Sequence, residues 1–102
     1  MTIVFKTIAV DEYVATALMR DMVGHDRNPS GFLVYLHLFC ECEMQGAPAV
    51  RESHQTIAEA TGLSKSAVQK AIRYLNGRKL LRTQKDWPTA VPLHRVLRTW
   101  RR

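Results

Sequence analysis

The sequence predicts a mainly α-helical domain with a small β-hairpin, and we expect residues 1–102 to form one unit around a single modest core. Three observations lead to this fold class. Apolar residues recur at helical spacing in several segments before residue 76. Two of these segments meet at Gly62, where one helical pattern ends and another begins two residues later. Beyond residue 80, two extended stretches flank the turn-forming run "DWPT", as in a hairpin.

The first helix is predicted at about residues 11–23. It starts at an aspartate and carries an apolar stripe at helical spacing, formed by Val14, Leu18 and Met22. The run before it, "IVFKTIAV" at residues 3–10, fits either a short strand or an extended arm. The run "HDRNPSG" after it predicts a loop, because Asn-Pro is a turn signal.

A second helix is predicted at about residues 30–45, with Ser30 as its N-cap and Gly46 as its end. It is apolar around so much of its circumference that we expect neighbours on several sides. His37 lies on this helix at metal-ligand spacing from two further residues, Cys40 and Glu41. Because no second cluster supplies the remaining ligands, we interpret His37 as a packed core histidine and expect no metal or other cofactor.

The break at Gly62 predicts a helix-turn-helix over about residues 53–76. Gly62 can adopt the left-handed backbone conformation that ends a helix, and Ser64 can cap the helix that follows. The run "GAPAV" at residues 46–50 leads, as a very short strand or a loop, to Ser53, which is the expected cap of the first helix. The predicted inward-facing residues are Ile57, Ala58 and Ala60 in the first helix, and Val68, Ala71, Ile72 and Leu75 in the second.

This packing leaves polar and basic side chains on the open face of the second helix, at residues 64–75. They are Lys65, Ser66, Gln69, Lys70 and Arg73, with the hydroxyl of Ser64 beside them. Gln and Lys side chains can read base edges in a DNA major groove, while Ser and Lys can hold phosphates. We therefore assign base reading to Gln69 and Ser66, and phosphate or base contact to the three cations.

Positive charge is concentrated in the second half of the chain. Residues 1–50 carry three Lys and Arg against six acids, and residues 51–102 carry twelve against three, so the halves have net charges of −3 and +9. This asymmetry is the electrostatic footprint expected of a nucleic-acid-binding surface. An ordinary solvated surface, or one that attracts anionic lipid, would have the same composition.

The stretch "QTIAEATGLSKSAVQKAIRYLNGRKLL" resembles the winged helix-turn-helix of bacterial DNA-binding regulators. It is similar to the DNA-binding domains of GntR-type and MarR-type repressors and of plasmid or phage replication initiators. The resemblance extends over about residues 30–98 and implies that the hairpin, at about residues 80–96, is the wing. In this family the glycine usually falls later than Gly77 does here, in an "x-x-Gly-Leu-Ile" turn. The wing residues expected to contact DNA are Arg82, Lys85 and Arg95.

Within the wing, Pro88 suits the tip and Pro92 suits an edge strand. Trp87 either presses on a sugar–phosphate ridge or packs against the domain. The segment after the return strand leaves the sheet as a short helix or an extended arm.

The sequence contains no catalytic motif, so we do not expect an enzyme. No apolar run is long enough to span a bilayer and the start does not resemble a signal peptide, which favours a cytoplasmic protein. We predict sequence-specific binding of double-stranded DNA by a small transcriptional regulator that inserts the helix at residues 64–75 in the major groove. The alternatives are the DNA-binding domain of a replication initiator and a winged-helix protein-interaction module. A protein-interaction module would favour an acidic or apolar face on this helix.

A homodimer is predicted because one winged helix offers a small DNA interface, on the order of 600–1,000 Å². The expected dimer contacts are residues 3–10 and the stripe formed by Val14, Leu18 and Met22, which are more hydrophobic than the edge of a monomer needs. The other interpretation is that these residues only cap the core of the monomer.

Overall fold

The computed structural model describes residues 3–101. The N-terminal part winds as two π-helical segments, Val14–Leu18 and Arg20–His25. Helices and strands then follow in the order α1 (Pro29–Gln45), β1 (Ala49–Arg51), α2 (His54–Thr61), α3 (Lys65–Gly77), β2 (Leu81–Gln84) and β3 (Leu93–Val96). The described chain therefore combines helices with a small antiparallel sheet, and none of its helices is long and apolar enough to cross a membrane.

The sheet contains β1 besides the predicted hairpin, and β1 overlaps the very short strand that the run at residues 46–50 allows. β1 pairs with β3 in antiparallel register, so the strand order is β1-β3-β2 and β3 is central. Pro92, which we expected on an edge strand, lies directly before this central strand. A proline is tolerated there because the ladder begins only at the next residue, and because the carbonyl oxygen of Pro92 accepts a hydrogen bond from the amide of Glu52 (3.2 Å).

α1 is the centre of the hydrophobic core. Four of its side chains have an exposed fraction of 0%: Val34, Tyr35, Leu38 and Phe39. The N-terminal segment, α2, α3 and the sheet all contact this helix. The expected coverage of α1 on several sides is confirmed.

The start of α1 differs from the prediction. Its N-cap is Asn28, whose side-chain oxygen accepts a hydrogen bond from the amide of Gly31 (2.9 Å). Pro29 takes the first helical position, where an N–H group would have no partner within the helix. The prediction of Ser30 as the cap is wrong because Asn-Pro, a turn signal in other contexts, here opens a helix. Gly46 ends the helix with a φ of +64°, as predicted.

The apolar stripe of the N-terminal segment belongs to the core of the monomer. Val14, Leu18 and Met22 have exposed fractions of 0%, 4% and 0% and pack in the same cluster as α1. These three side chains are therefore not available as the dimer contacts that we expected. Residues 3–10 form no strand, and Ile3, Val4 and Phe5 are largely exposed, which favours the extended arm.

The caps of the predicted helix-turn-helix are confirmed. Gly62 ends α2 with a φ of +81° in the left-handed region. The Oγ of Ser64 accepts a hydrogen bond from the amide of Ala67 (3.1 Å) and caps α3. The Oγ of Ser53 caps α2 in the same way through the amide of Thr56 (3.1 Å).

The inward faces of these two helices agree with the prediction except at one residue. α3 buries all four expected side chains: Val68, Ala71, Ile72 and Leu75. α2 buries Ile57 and Ala58, but Ala60 is exposed. Ala60 lies about 200° around the helix from Ala58, so the two side chains cannot both face the same neighbours. This packing holds α3 against the core with its opposite face free.

Candidate nucleic-acid interface

The free face of α3 carries the side chains that the sequence predicts for DNA contact. All six are exposed: Ser64, Lys65, Ser66, Gln69, Lys70 and Arg73. Positions 66, 69, 70 and 73 follow the spacing that places side chains on one side of a helix. The sequence of α3 contains no acidic residue. α3 therefore presents a polar and basic face to solvent.

Two hydroxyl groups lie at the start of this face. The Oγ of Ser64 is engaged as the helix cap and lies 3.3 Å from the Oγ of Ser66. Ser66 has no role as a cap. Its hydroxyl can therefore donate to or accept from a ligand, whereas Ser64 is already committed to the backbone of α3.

Arg82 and Arg95 lie on the outer face of the sheet. They are register partners of β2 and β3, and both are exposed. Their neighbours along the strands, Leu81 and Val96, turn toward the core with exposed fractions of 2% and 6%, as the alternation of a strand requires. The pairing thus brings together two cations that the sequence predicts only separately.

Arg51 extends this outer face, although no feature of the sequence assigned it there. It is the register partner of Leu93, which lies two residues from Arg95 on β3 and so on the same face. The Arg51 guanidinium lies 3.4 Å from the carboxylate of Asp86 and donates a hydrogen bond to the carbonyl oxygen of Val91 (3.3 Å). A strand of three residues is too short for its alternation to be recognised in a sequence, so only the pairing identifies this arginine.

A cleft of about 280 Å³ joins the start of α3 to the hairpin. Lys65 and Lys85 line it together with His54, the first residue of α2. Partial burial lowers the pKa of His54, and the positive charges of Lys85 and Lys65 lower it further. Helix N-termini carry a partial positive charge, and residues from the starts of α2 and α3 line this cleft. Its positive charge therefore suits an approaching phosphate group.

Ion pairing distinguishes the predicted cations from most other cations in the second half of the chain, although within residues 3–101 Lys79 also has no carboxylate within 4.0 Å. Four arginines each lie within 4.0 Å of at least one carboxylate: Arg51, Arg78, Arg98 and Arg101. Within residues 3–101, no carboxylate lies within that distance of Lys65, Lys70, Arg73, Arg82, Lys85 or Arg95. The charge of these six side chains is therefore available to an anionic ligand.

A buried histidine fixes the hairpin relative to α3. His94 has an exposed fraction of 0%, and its ring nitrogens lie 3.0 Å from the Oγ1 of Thr83 and 3.0 Å from the carbonyl oxygen of Glu52. The side-chain amide of Asn76, near the end of α3, donates a hydrogen bond to the same Thr83 hydroxyl (3.0 Å). Burial lowers the pKa of His94, which keeps the ring neutral and able to donate to the Glu52 carbonyl.

Trp87 stands in the loop between β2 and β3 with an exposed fraction of 60%. Together with Arg51 and Val91 it lines a cleft at the surface, so most of the ring faces solvent and the remainder lies beside the domain. Its indole ring is free to contact the surface of a ligand.

The geometry arranges the predicted residues in two groups. Lys65 and Lys85 share the cleft, and Arg82 and Arg95 form a pair on the sheet. In the described part of the chain, no hydrogen bond joins the α3 residues to that arginine pair.

Among known proteins, no family model, no curated protein and no solved structure matches this chain.

Proposed function

We propose that this protein binds double-stranded DNA with sequence specificity as a winged helix-turn-helix, acting as a small transcriptional regulator in the cytoplasm and not as an enzyme. The observation that carries this proposal is the set of six exposed cations on α3, the hairpin and the sheet that have no carboxylate partner within residues 3–101. A surface made only for solubility would be expected to mix both signs of charge.

In the proposed complex α3 enters the major groove. Ser66 and Gln69 lie on its free face and read base edges. Lys65, Lys70 and Arg73 contact phosphates or bases on either side of them. The absence of any acid from the sequence of α3 supports this role and argues against a protein-interaction module, for which an acidic or apolar face would be expected.

The hairpin supplies the second set of contacts in this proposal. Lys85 shares a cleft with Lys65, so one phosphate could be held between the hairpin and the start of α3. Arg82 and Arg95 contact the DNA backbone at the wing. The hydrogen bonds of Thr83 with His94 and with Asn76 support this arrangement, because together they hold the hairpin at a defined position against α3.

The ion pairs also limit how much charge DNA would meet. Arg78 binds Asp21 and Asp26, and Arg101 binds Asp11, so part of the +9 in the second half neutralises the acidic first half. Six cations without a partner remain on the proposed surface. If each neutralises one phosphate, the logarithm of the binding constant falls against the logarithm of salt concentration with a slope of about −5.

A mobility-shift titration of duplex DNA at several salt concentrations tests this proposal. The key variant replaces Lys65, Lys70 and Arg73 with glutamine, and we expect its salt slope to be shallower by about 3. The matched control replaces three exposed cations of the first half, Lys6, Arg20 and Arg27, and should bind as the unaltered protein does. Equal losses in both variants, or binding that does not respond to salt, would contradict the proposed surface.

We also propose that the protein works as a homodimer on an inverted repeat. A single winged helix offers an interface of about 600–1,000 Å², which is small for tight and specific binding. Two copies would read half-sites about one helical turn apart, roughly 34–36 Å. The exposed apolar side chains of the N-terminal arm, at Ile3, Val4 and Phe5, are the proposed contacts between the copies.

A further inference from the structure

His37 is not the packed core histidine that the sequence predicts. It lies on α1 with 16% of its side chain exposed, and its Nε2 atom is 2.8 Å from the Oε2 atom of Glu52. Glu52 follows β1 and leads into α2, and 10% of its side chain is exposed. The contact therefore connects two parts of the chain that are distant in sequence.

A second carboxylate reaches the same place. Glu41 lies one turn after His37 on α1, so both side chains project from the same side of the helix. One ligand atom from each of His37, Glu41 and Glu52 lies within 4.8 Å of the other two. An imidazole nitrogen and two carboxylate oxygens thus converge at a half-buried position, away from the free face of α3.

The charge of this cluster is not balanced by neighbouring cations. Within residues 3–101, no Lys or Arg nitrogen lies within 4.0 Å of either Glu41 or Glu52, although Glu43 on the same helix lies within that distance of both Arg98 and Arg101. The further side-chain contact of Glu41 is with the amide of Gln45, at 3.4 Å. A second carboxylate therefore lies close to the His37–Glu52 pair without a cation of its own, an arrangement that a metal ion would stabilise.

We propose that His37, Glu41 and Glu52 bind a divalent first-row metal ion, with Zn²⁺ as the best fit. One imidazole and two carboxylates are ligands that Zn²⁺ accepts, with water in the fourth position. At bond lengths of about 2.1 Å, tetrahedral ligand atoms lie about 3.4 Å apart, so the observed spread needs only small side-chain rotations. The imidazole nitrogen disfavours Mg²⁺ and Ca²⁺, which prefer oxygen ligands.

An ion at this position would link the central helix to the segment that starts α2. The backbone of Glu52 is already tied to the sheet, because its carbonyl oxygen accepts a hydrogen bond from His94 and its amide donates to Pro92. Zn²⁺ would therefore raise the thermal midpoint of unfolding, since only the folded chain brings the three ligands together. This inference does not depend on DNA binding.

A second cluster of similar composition provides the control. Asp21, His25 and Asp26 also place their ligand atoms within 4.8 Å of one another. Both of these carboxylates already bind the guanidinium of Arg78, and 82% of the His25 side chain is exposed. The positive charge that a metal ion would supply is therefore already present there, and we expect no binding at this cluster.

Calorimetric titration of the full, untagged chain with Zn²⁺ tests the proposal. We expect one ion per chain, at least about tenfold weaker binding in His37→Gln and Glu41→Gln, and unchanged binding in His25→Gln. Glu41→Gln decides the matter if His37→Gln fails to fold, because the side chain of Glu41 makes few contacts. Failure to bind Zn²⁺, or binding that His25→Gln alone weakens, would overturn the proposal.

Co²⁺ provides a spectroscopic test of the ligands. Bound Co²⁺ should absorb in the visible range, and Glu41→Gln should reduce that absorption, whereas His25→Gln should not. Cys40 and Cys42 lie on the same helix and carry free thiols. A strong near-ultraviolet thiolate band would assign the ion to one of these cysteines and would overturn the proposed ligand set.

Discussion

Arg82 and Arg95 are direct register partners on the two antiparallel strands of the hairpin, with both side chains exposed. Like charges directly opposite one another destabilise a sheet, and a β-branched residue would fit either position better. The pair therefore lowers the stability of the pairing between β2 and β3. An anionic ligand that contacts both guanidinium groups would reverse that effect.

The first prediction separates stability from binding at this pair. Arg82→Thr should leave the free energy of unfolding unchanged or raise it by up to about 1 kcal/mol, because the repulsion disappears. The same variant should bind DNA more weakly, with a salt slope shallower by about 1. Thermal melts and mobility shifts measure the two effects. Arg101→Thr is the control, since loss of its ion pair with Asp11 should lower stability and leave DNA binding unchanged.

The second prediction assigns different roles to two neighbours on α3. Gln69→Ala should lose roughly 1–3 kcal/mol of discrimination between specific and random DNA, with little change on random DNA. Lys70→Ala should weaken binding to both and make the salt slope shallower by about 1. Fluorescence titrations with a selected and a scrambled duplex measure both effects. Identical behaviour of the two variants would contradict this division, even if α3 does bind DNA.

The third prediction concerns the turn between α2 and α3. Gly62 adopts a φ of +81°, so Gly62→Ala should destabilise the fold by about 1 kcal/mol or more. Gly77 lies at the end of α3 without a positive φ, and an added Cβ would meet no atom within 4 Å. Gly77→Ala should therefore be neutral or stabilising by about 0.4–1 kcal/mol. Chemical denaturation should show that Gly62→Ala is less stable than the unaltered protein and that Gly77→Ala is not, and equal destabilisation of both variants would argue against the turn.

The fourth prediction follows from the buried ring of His94. Burial lowers the pKa of His94 in the folded protein. Below the usual pKa of 6.5, the unfolded chain therefore binds a proton on this ring more readily than the folded chain does. The contribution of His94 to the free energy of unfolding should be fully present above that pH. It should decrease as the pH falls, by at most about 1.4 kcal/mol per pH unit.

Denaturant midpoints between about pH 7.5 and about pH 5 test this prediction. His94→Gln removes the titrating ring, so its midpoint should depend less on pH than that of the unaltered protein. His25, whose pKa is raised by its hydrogen bond to Asp26, acts in the opposite direction in both proteins and cancels in the comparison. An unchanged pH dependence in His94→Gln would contradict the assignment.

The fifth prediction tests the proposed homodimer. Sedimentation at micromolar concentration should give a mass near twice 11.7 kDa, and Phe5→Ser should return it to a monomer that is still folded, because Phe5 is 87% exposed. Leu18→Glu should instead unfold the protein, since Leu18 is 4% exposed in the core. A monomer at every concentration, also when bound to DNA, would refute the dimer.

The amino-acid sequence by itself determined the ends of the two helices around the turn. These ends depend on backbone groups only a few residues from the capping residues Ser53, Gly62 and Ser64. Their effect can therefore be predicted without knowledge of the rest of the chain. The buried and free faces of α3 follow from helical periodicity in the same way. In α2 the same periodicity failed at one residue, Ala60, which is exposed.

Only the tertiary structure decided the features that depend on distant contacts. The sequence allowed a very short strand at residues 46–50 without deciding for it, and β1 is a strand because Val50 pairs with His94 far along the chain. That pairing makes β3 central, places Arg51 beside the other arginines and brings Glu52 to His37. Likewise, the sequence left open whether the apolar stripe of Val14, Leu18 and Met22 contacts a partner or the core. In the structure these side chains pack against α1 in the core of the monomer. Capping chemistry acts over one helical turn, whereas pairing and packing depend on which distant residues meet.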